Sequence, residues 1–245
     1  MQRYFIHLAY RGTAYCGWQV QPGDQTVQGT LHDALAMLLR VPVETVGCGR
    51  TDTGVHASSF FAHFDADFQF DRDKTAKKLN AMLPDDIAVF QIFPVDKDQH
   101  ARFSATERSY QFHLHTQKDP FTEGLSVFTP YQLDVDRMNQ GAQILLQTRD
   151  FASFCKAGGN QHTTFCALTA CKWVAHSKGY RFEISADRFL RNMVRSIVGT
   201  MIDLGRGKID LKTFQAIVQA KDRSAAGTSV AAHGLFLTDV RYPFS

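Results

Sequence analysis

The sequence predicts an α+β fold made of two split-βαβ-like halves, each with a largely antiparallel sheet and helices on one face. Three observations lead there. Short runs with a two-residue apolar period alternate with longer runs of helical period. In the first hundred residues the order is strand, helix, strand, strand, helix, strand. A longer version of that order follows from residue 101 to the end, without a strict sequence repeat.

Tyr4, Ile6, Leu8 and Tyr10 alternate with Phe5, His7 and Ala9, which suits a strand with unequal faces. A loop rich in glycine and aromatics follows over residues 11–24. Thr26 is placed to cap a helix running to residue 40, with Val27, Leu31, Ala34, Leu35, Leu38 and Leu39 on one face, and Pro42 stops it. Residues 43–49 and 58–64 read as strands, residues 73–83 as a helix ended by Pro84, and residues 87–95 as an apolar strand. The charged segment Asp96-Lys97-Asp98-Gln99-His100 has the composition of a connector. It separates an N-terminal half, 1–100, from a C-terminal half, 101–245. In the latter, strands are expected over 108–116, 170–176, 180–186 and 235–242, with helices over 134–146, 189–204 and 210–221.

Among the 245 residues, a hydrophobic content of 44% supports a sizeable core, and 21% charged residues is ordinary for a soluble protein. The net charge of +3 is compatible with RNA binding without demanding it. No apolar run approaches the roughly 20 residues that span a bilayer. Arg3, His7 and Arg11 interrupt the start of the chain, so no signal peptide is expected there. Five cysteines without framework spacing favour free thiols in a reducing compartment, the cytoplasm by default. Cys166 and Cys171 have His162 nearby, but neither a Cys-x-x-Cys pair nor a second ligand cluster accompanies them, so no metal is expected. No role falls to His113 or His115.

The stretch that carries chemistry is Gly49-Arg50-Thr51-Asp52-Thr53-Gly54-Val55-His56-Ala57, a tight loop between two apolar runs. Its glycines permit backbone angles that other residues reach only at a cost. A carboxylate held there beside a cation can stay ionised and act as nucleophile or base. Alone, the loop also reads as a plain turn in which Asp52 bonds its own backbone.

Those nine residues closely resemble the signature of the tRNA pseudouridine synthase A family, and further matches run along nearly the whole chain. They include Tyr10-Arg11-Gly12-Thr13-Ala14-Tyr15-Cys16-Gly17-Trp18-Gln19, Thr26-Val27-Gln28-Gly29 and Leu79-Asn80-Ala81-Met82-Leu83-Pro84-Asp85-Asp86-Ile87. Ala101-Arg102-Phe103-Ser104-Ala105-Thr106-Glu107-Arg108-Ser109-Tyr110, Asn192-Met193-Val194-Arg195 and Gly234-Leu235-Phe236-Leu237 continue the series. Arg11 departs from the pattern, since the family commonly carries an acidic residue there.

The resemblance implies a pseudouridine synthase fold with the active-site cleft between the halves, acting on uridines 38, 39 and 40 of the tRNA anticodon arm. It makes Asp52 the catalytic residue, Arg50 the residue that helps extrude or position the nucleotide, Tyr110 the ring that stacks on uracil, and Arg195 the guanidinium that pairs with Asp52. It also implies a homodimer. Isomerisation involves no redox change or net hydrolysis, so no cofactor or metal is required in principle. A carboxylate stabilises or traps the positive character that builds on the sugar when the glycosidic bond breaks. Whether Asp52 attacks the sugar, attacks the base or removes a proton stays open.

Arg191, four residues before Arg195, is expected to share its helical face. Basic residues with aromatics between them, such as Lys178-Gly179-Tyr180-Arg181 and Arg188-Phe189-Leu190-Arg191, suit phosphate and base contacts. Leu235 or Leu237 is an apolar wall for the uracil or plain core. Two other classes fit the residues: an RNA-binding module without chemistry, in which Asp52 is dispensable, and a hydrolytic nucleosidase. The latter needs a second carboxylate, and no pattern assigns that work to Glu44, Asp65 or Asp67.

Overall fold

The computed structural model describes residues 1–156 and 163–244. In chain order its first elements are β1 (Gln2–Tyr10), α1 (Val27–Leu39), β2 (Val46–Gly47), β3 (His56–Ala66), α2 (Arg72–Met82) and β4 (Ile87–Val95). There follow β5 (Glu107–His115), β6 (Val127–Phe128), α3 (Val135–Leu146), β7 (Leu168–His176) and β8 (Gly179–Ala186). The chain closes with α4 (Met193–Gly205), α5 (Leu211–Ala220) and β9 (Leu235–Arg241). It forms two compact units, one of residues 1–106 with the segment from Phe236 onward, the other of residues 107–235. The architecture is mixed α and β with mainly antiparallel strand pairing, and His162 lies outside the described residues.

In the first unit β1 runs antiparallel to β3 on one side and to β4 on the other. Phe5, Ile6, Leu8, Phe60 and Phe64 are buried in its core, with Leu31 and Leu35 of α1 and Leu79 of α2. β9 joins the far side of β3 in parallel, pairing Phe236 with His56 and Leu237 with Ala57. β3 thus runs two residues beyond each end of the expected 58–64, paired with β9 at His56 and Ala57 and with β1 at Asp65 and Ala66.

The expected strand over 43–49 shrinks to Val46–Gly47. Just before it, Thr45 turns its main chain to α1 instead. Its N–H donates to His32 Nε2 at 2.8 Å and its carbonyl accepts from Gln28 Nε2 at 2.7 Å.

In the second unit β5 and β7 flank β8, both antiparallel to it. The two-residue β6, which the sequence does not announce, runs parallel to the end of β5. Phe112, Phe182, Phe151, Phe154, Met193, Ile197, Met201 and Phe214 are buried here.

Helix starts follow a common rule with one exception. Thr26 caps α1 by accepting from Gly29 N, while Asp71, Asp134 and Asp210 accept from the N–H three residues on in α2, α3 and α5. α4 instead follows Asn192, whose φ of 63° is left-handed and whose side chain makes no cap bond. The helix therefore begins four residues later than the expected 189. Arg191 precedes it and does not share a helical face with Arg195, which corrects the expectation from spacing.

Each unit secures the outermost strand of its sheet in the same way. Asn80 of α2 donates to Val89 O and accepts from Val89 N, both at 2.7 Å, on β4. Asn139 of α3 does the same with Trp173 of β7, at 3.1 and 2.8 Å. One amide thus satisfies both main-chain groups of a residue on an edge strand.

His63, on β3, is buried and accepts from Ala101 N at Nδ1. Burial, then the positive charge of Arg3, lowers its pKa from 6.5 to about 4. The native state thus binds the proton less readily than the unfolded chain. Stability is full above pH 6.5 and falls between pH 6.5 and 4, by about 3 kcal/mol in all. Denaturant midpoints measured across that range should fall with pH, and the fall should be smaller in His63→Gln.

Candidate active site

The Asp52 loop leaves Gly47 and reaches β3 within nine residues, and the preceding loop of residues 11–18 holds it from below. Asp52 to Val55 form a reverse turn closed by Val55 N on the Asp52 main-chain carbonyl at 3.1 Å. Gly54, third in that turn, has φ 78°, a conformation that residues with a Cβ rarely adopt. The turn is closed by a main-chain bond, and Asp52 is half-buried.

The buttressing is close. A Cβ on Gly12 would lie 2.0 Å from Val55 O, and one on Gly17 would lie 2.4 Å from Thr51 O. Only glycine allows the backbones to approach so far. Trp18 N donates to Thr51 O at 3.2 Å, Gly54 N donates to Tyr15 O at 3.4 Å, and the hydroxyls of Tyr10 and Thr51 share a bond of 2.8 Å. The indole of Trp18 packs on Phe60, with ring centroids 4.1 Å apart, and over Gly47, where a Cβ would meet it. His56 is fully buried and accepts from Gly12 N at Nδ1, which leaves its proton on Nε2. The imidazole near the aspartate is thus a wedge between two loops. Phe236 stacks on it at 4.6 Å.

Tyr15 lies at the other end of this brace. Its hydroxyl donates to Asp86 Oδ1 at 2.6 Å, and burial followed by that carboxylate pushes its pKa up. Arg11, the departure from the family pattern, is exposed and contributes its main chain, N–H to Asp86 O at 2.8 Å. Arg50 is exposed at the mouth of the Asp52 loop.

The other two expected residues belong to the second unit. Tyr110 lies on β5, on the face that buries Phe112 and Leu114 two and four residues on. It is half-buried, and Phe189 meets its ring edge-on at 5.1 Å. Phe189 is a residue that sequence reasoning singled out only as part of a basic and aromatic run. Arg195 stands in the first turn of α4, its Nε donating to Val230 O at 2.8 Å. Leu235 and Leu237 are both buried.

Among the described residues no group of three or more His, Cys, Asp or Glu side chains is arranged to hold a metal ion. Burial pushes the Cys166 thiol up to about 12 and raises that of Cys171. No described helix is long and apolar enough to cross a membrane.

The model of a family described as tRNA pseudouridine synthase matches residues 142–243. The chain is 48% identical over 244 residues to a tRNA pseudouridine synthase A of Parabacteroides distasonis, covering 99% of this chain and 97% of that one. It is 46% identical over 247 residues to its counterpart in Porphyromonas gingivalis, covering 99% and 98%. It is 40% identical over 241 residues to that of Bacillus subtilis, covering 96% and 97%. The chain belongs to the tRNA pseudouridine synthase A family, isomerases that act on tRNA.

Gly12→Ala is expected to drive the first loop off the Asp52 turn. Thermal unfolding should show a loss of about 2 kcal/mol or more. Turnover should fall at least tenfold. Wild-type stability and rate in this variant would mean that the close approach is not needed.

Proposed function

We propose that this protein converts uridine to pseudouridine at positions 38, 39 and 40 in the anticodon stem-loop of tRNAs, with Asp52 as its catalytic carboxylate. The observation that carries the reading is the Asp52 turn. Main-chain bonds from the 11–18 loop hold it rigidly, and a preorganised carboxylate stabilises developing positive charge without reorganising. Full-length similarity to the family supports the same assignment.

The reaction breaks the bond between ribose C1′ and uracil N1, turns the base, and joins C5 to C1′. The proton on C5 then leaves and N1 regains one, so atoms balance without a redox step. The target base must leave its stack first. Arg50, exposed beside the turn, fills the vacated space. Tyr110 stacks on the uracil, and the guanidinium of Arg195 pairs with the Asp52 carboxylate and orients it. The enzyme works as a homodimer in the cytoplasm, with tRNA as its partner and no membrane.

The test follows tritium released from tRNA labelled at uracil C5, in wild type and Asp52→Ala. Wild type should release it, with pseudouridine mapping to the anticodon arm. The variant should bind tRNA and release none. Equal release by both would remove Asp52 from the chemistry. Binding without release by either would mark an RNA-binding module, and free uracil among the products a hydrolase.

A further inference from the structure

Asn192 is the helix-cap residue whose side chain is spent elsewhere. Its Nδ2 donates to Ser229 Oγ at 2.6 Å, although four other helices use their cap side chain on their own first turn. A left-handed backbone and a forgone cap both carry a cost, and such departures concentrate where function requires them. Ser229 also accepts from Arg223 Nη2 at 2.9 Å, so two donors occupy the lone pairs of one hydroxyl. Arg223 reaches Ala226 O as well, at 3.3 Å, which closes the short turn that leads into this segment.

One residue beyond Ser229, the chain grips Arg195 in both directions. Val230 O accepts from Arg195 Nε at 2.8 Å, and Val230 N donates to Arg195 O at 3.2 Å. The segment before it lies directly on α4. A Cβ on Gly199 would stand 1.9 Å from Thr228 O, and Gly227 N donates to Thr200 Oγ1 at 3.0 Å. With Nε engaged, the plane of the guanidinium is set.

We propose that Ser229 is a positioning residue for the isomerisation: gripped by Asn192 from α4 and by Arg223 from the preceding turn, it fixes the Val230 carbonyl that aims the Arg195 guanidinium. The inference rests on the reading of Arg195 as the cation that serves Asp52. It adds Asn192, Arg223 and Ser229 as the residues that orient that cation without touching the uridine.

The test measures single-turnover rate, tRNA affinity and thermal stability in Ser229→Ala, Ser229→Thr and Arg195→Ala. Ser229→Ala should slow the chemical step about tenfold while tRNA affinity changes less than threefold. Ser229→Thr keeps the hydroxyl and should recover most of the rate. A lowered melting temperature with wild-type rate in Ser229→Ala would overturn the proposal and leave a structural staple. If Arg195→Ala is impaired while Ser229→Ala is not, the positioning role alone fails. If Arg195→Ala keeps the wild-type rate, the reading of Arg195 fails, and this inference with it. Should Ser229→Ala fold poorly, Arg223→Gln removes one grip and reads the same quantities with the same two outcomes.

Discussion

The first unit depends on the contact between two loops, one of which can carry no side chain at the points of touch. Gly12 meets Val55 and Gly17 meets Thr51 at separations that leave no room for a Cβ. Around that approach, Tyr10, Trp18 and His56 each contribute one bond or one packing face. The aspartate turn is thereby rigid before any substrate arrives. A catalytic carboxylate needs this, because reorganisation that is complete in the ground state costs nothing in the transition state. It also ties the Tyr10–Gln19 motif, distant in sequence from Asp52, physically to the turn.

Much of this was legible in the residues. The two-residue period of Tyr4 to Tyr10 and the helical period from Val27 to Leu39 each name their element. Thr26 and Asp210 sit where helices begin, and Asp52 is flanked by glycines that announce a turn. What escaped detection depends on partners remote in sequence. Nothing near residues 43–45 reveals that Thr45 bonds to His32 of α1 rather than extending a strand. Nothing near Leu235 reveals that β9 pairs with β3, some 180 residues away. The pairing of Tyr110 with Phe189 was hidden for the same reason.

Asn192 escaped for a different reason. Read locally, Leu190, Met193, Val194 and Ile197 continue a helical face, and asparagine is a good cap. Its left-handed backbone and its diverted amide follow from Ser229, which no spacing rule connects with it. Local rules describe where a helix would begin if nothing else competed for the cap. Here the competitor is a segment that also holds Arg195, so the misread boundary and the candidate site coincide.

The paired asparagines, Asn80 on α2 and Asn139 on α3, have a consequence for how this protein behaves in a crowded solution. An outermost strand offers unsatisfied main-chain groups to any other extended chain, and folds commonly guard against this with charges or prolines in the strand itself. Here the guard stands on the neighbouring helix, where one amide occupies both groups of Val89 or of Trp173. That guard adds to the ones in the strands themselves, Pro94 in β4 and Lys172 in β7, at a residue those two do not cover. Both units share that device.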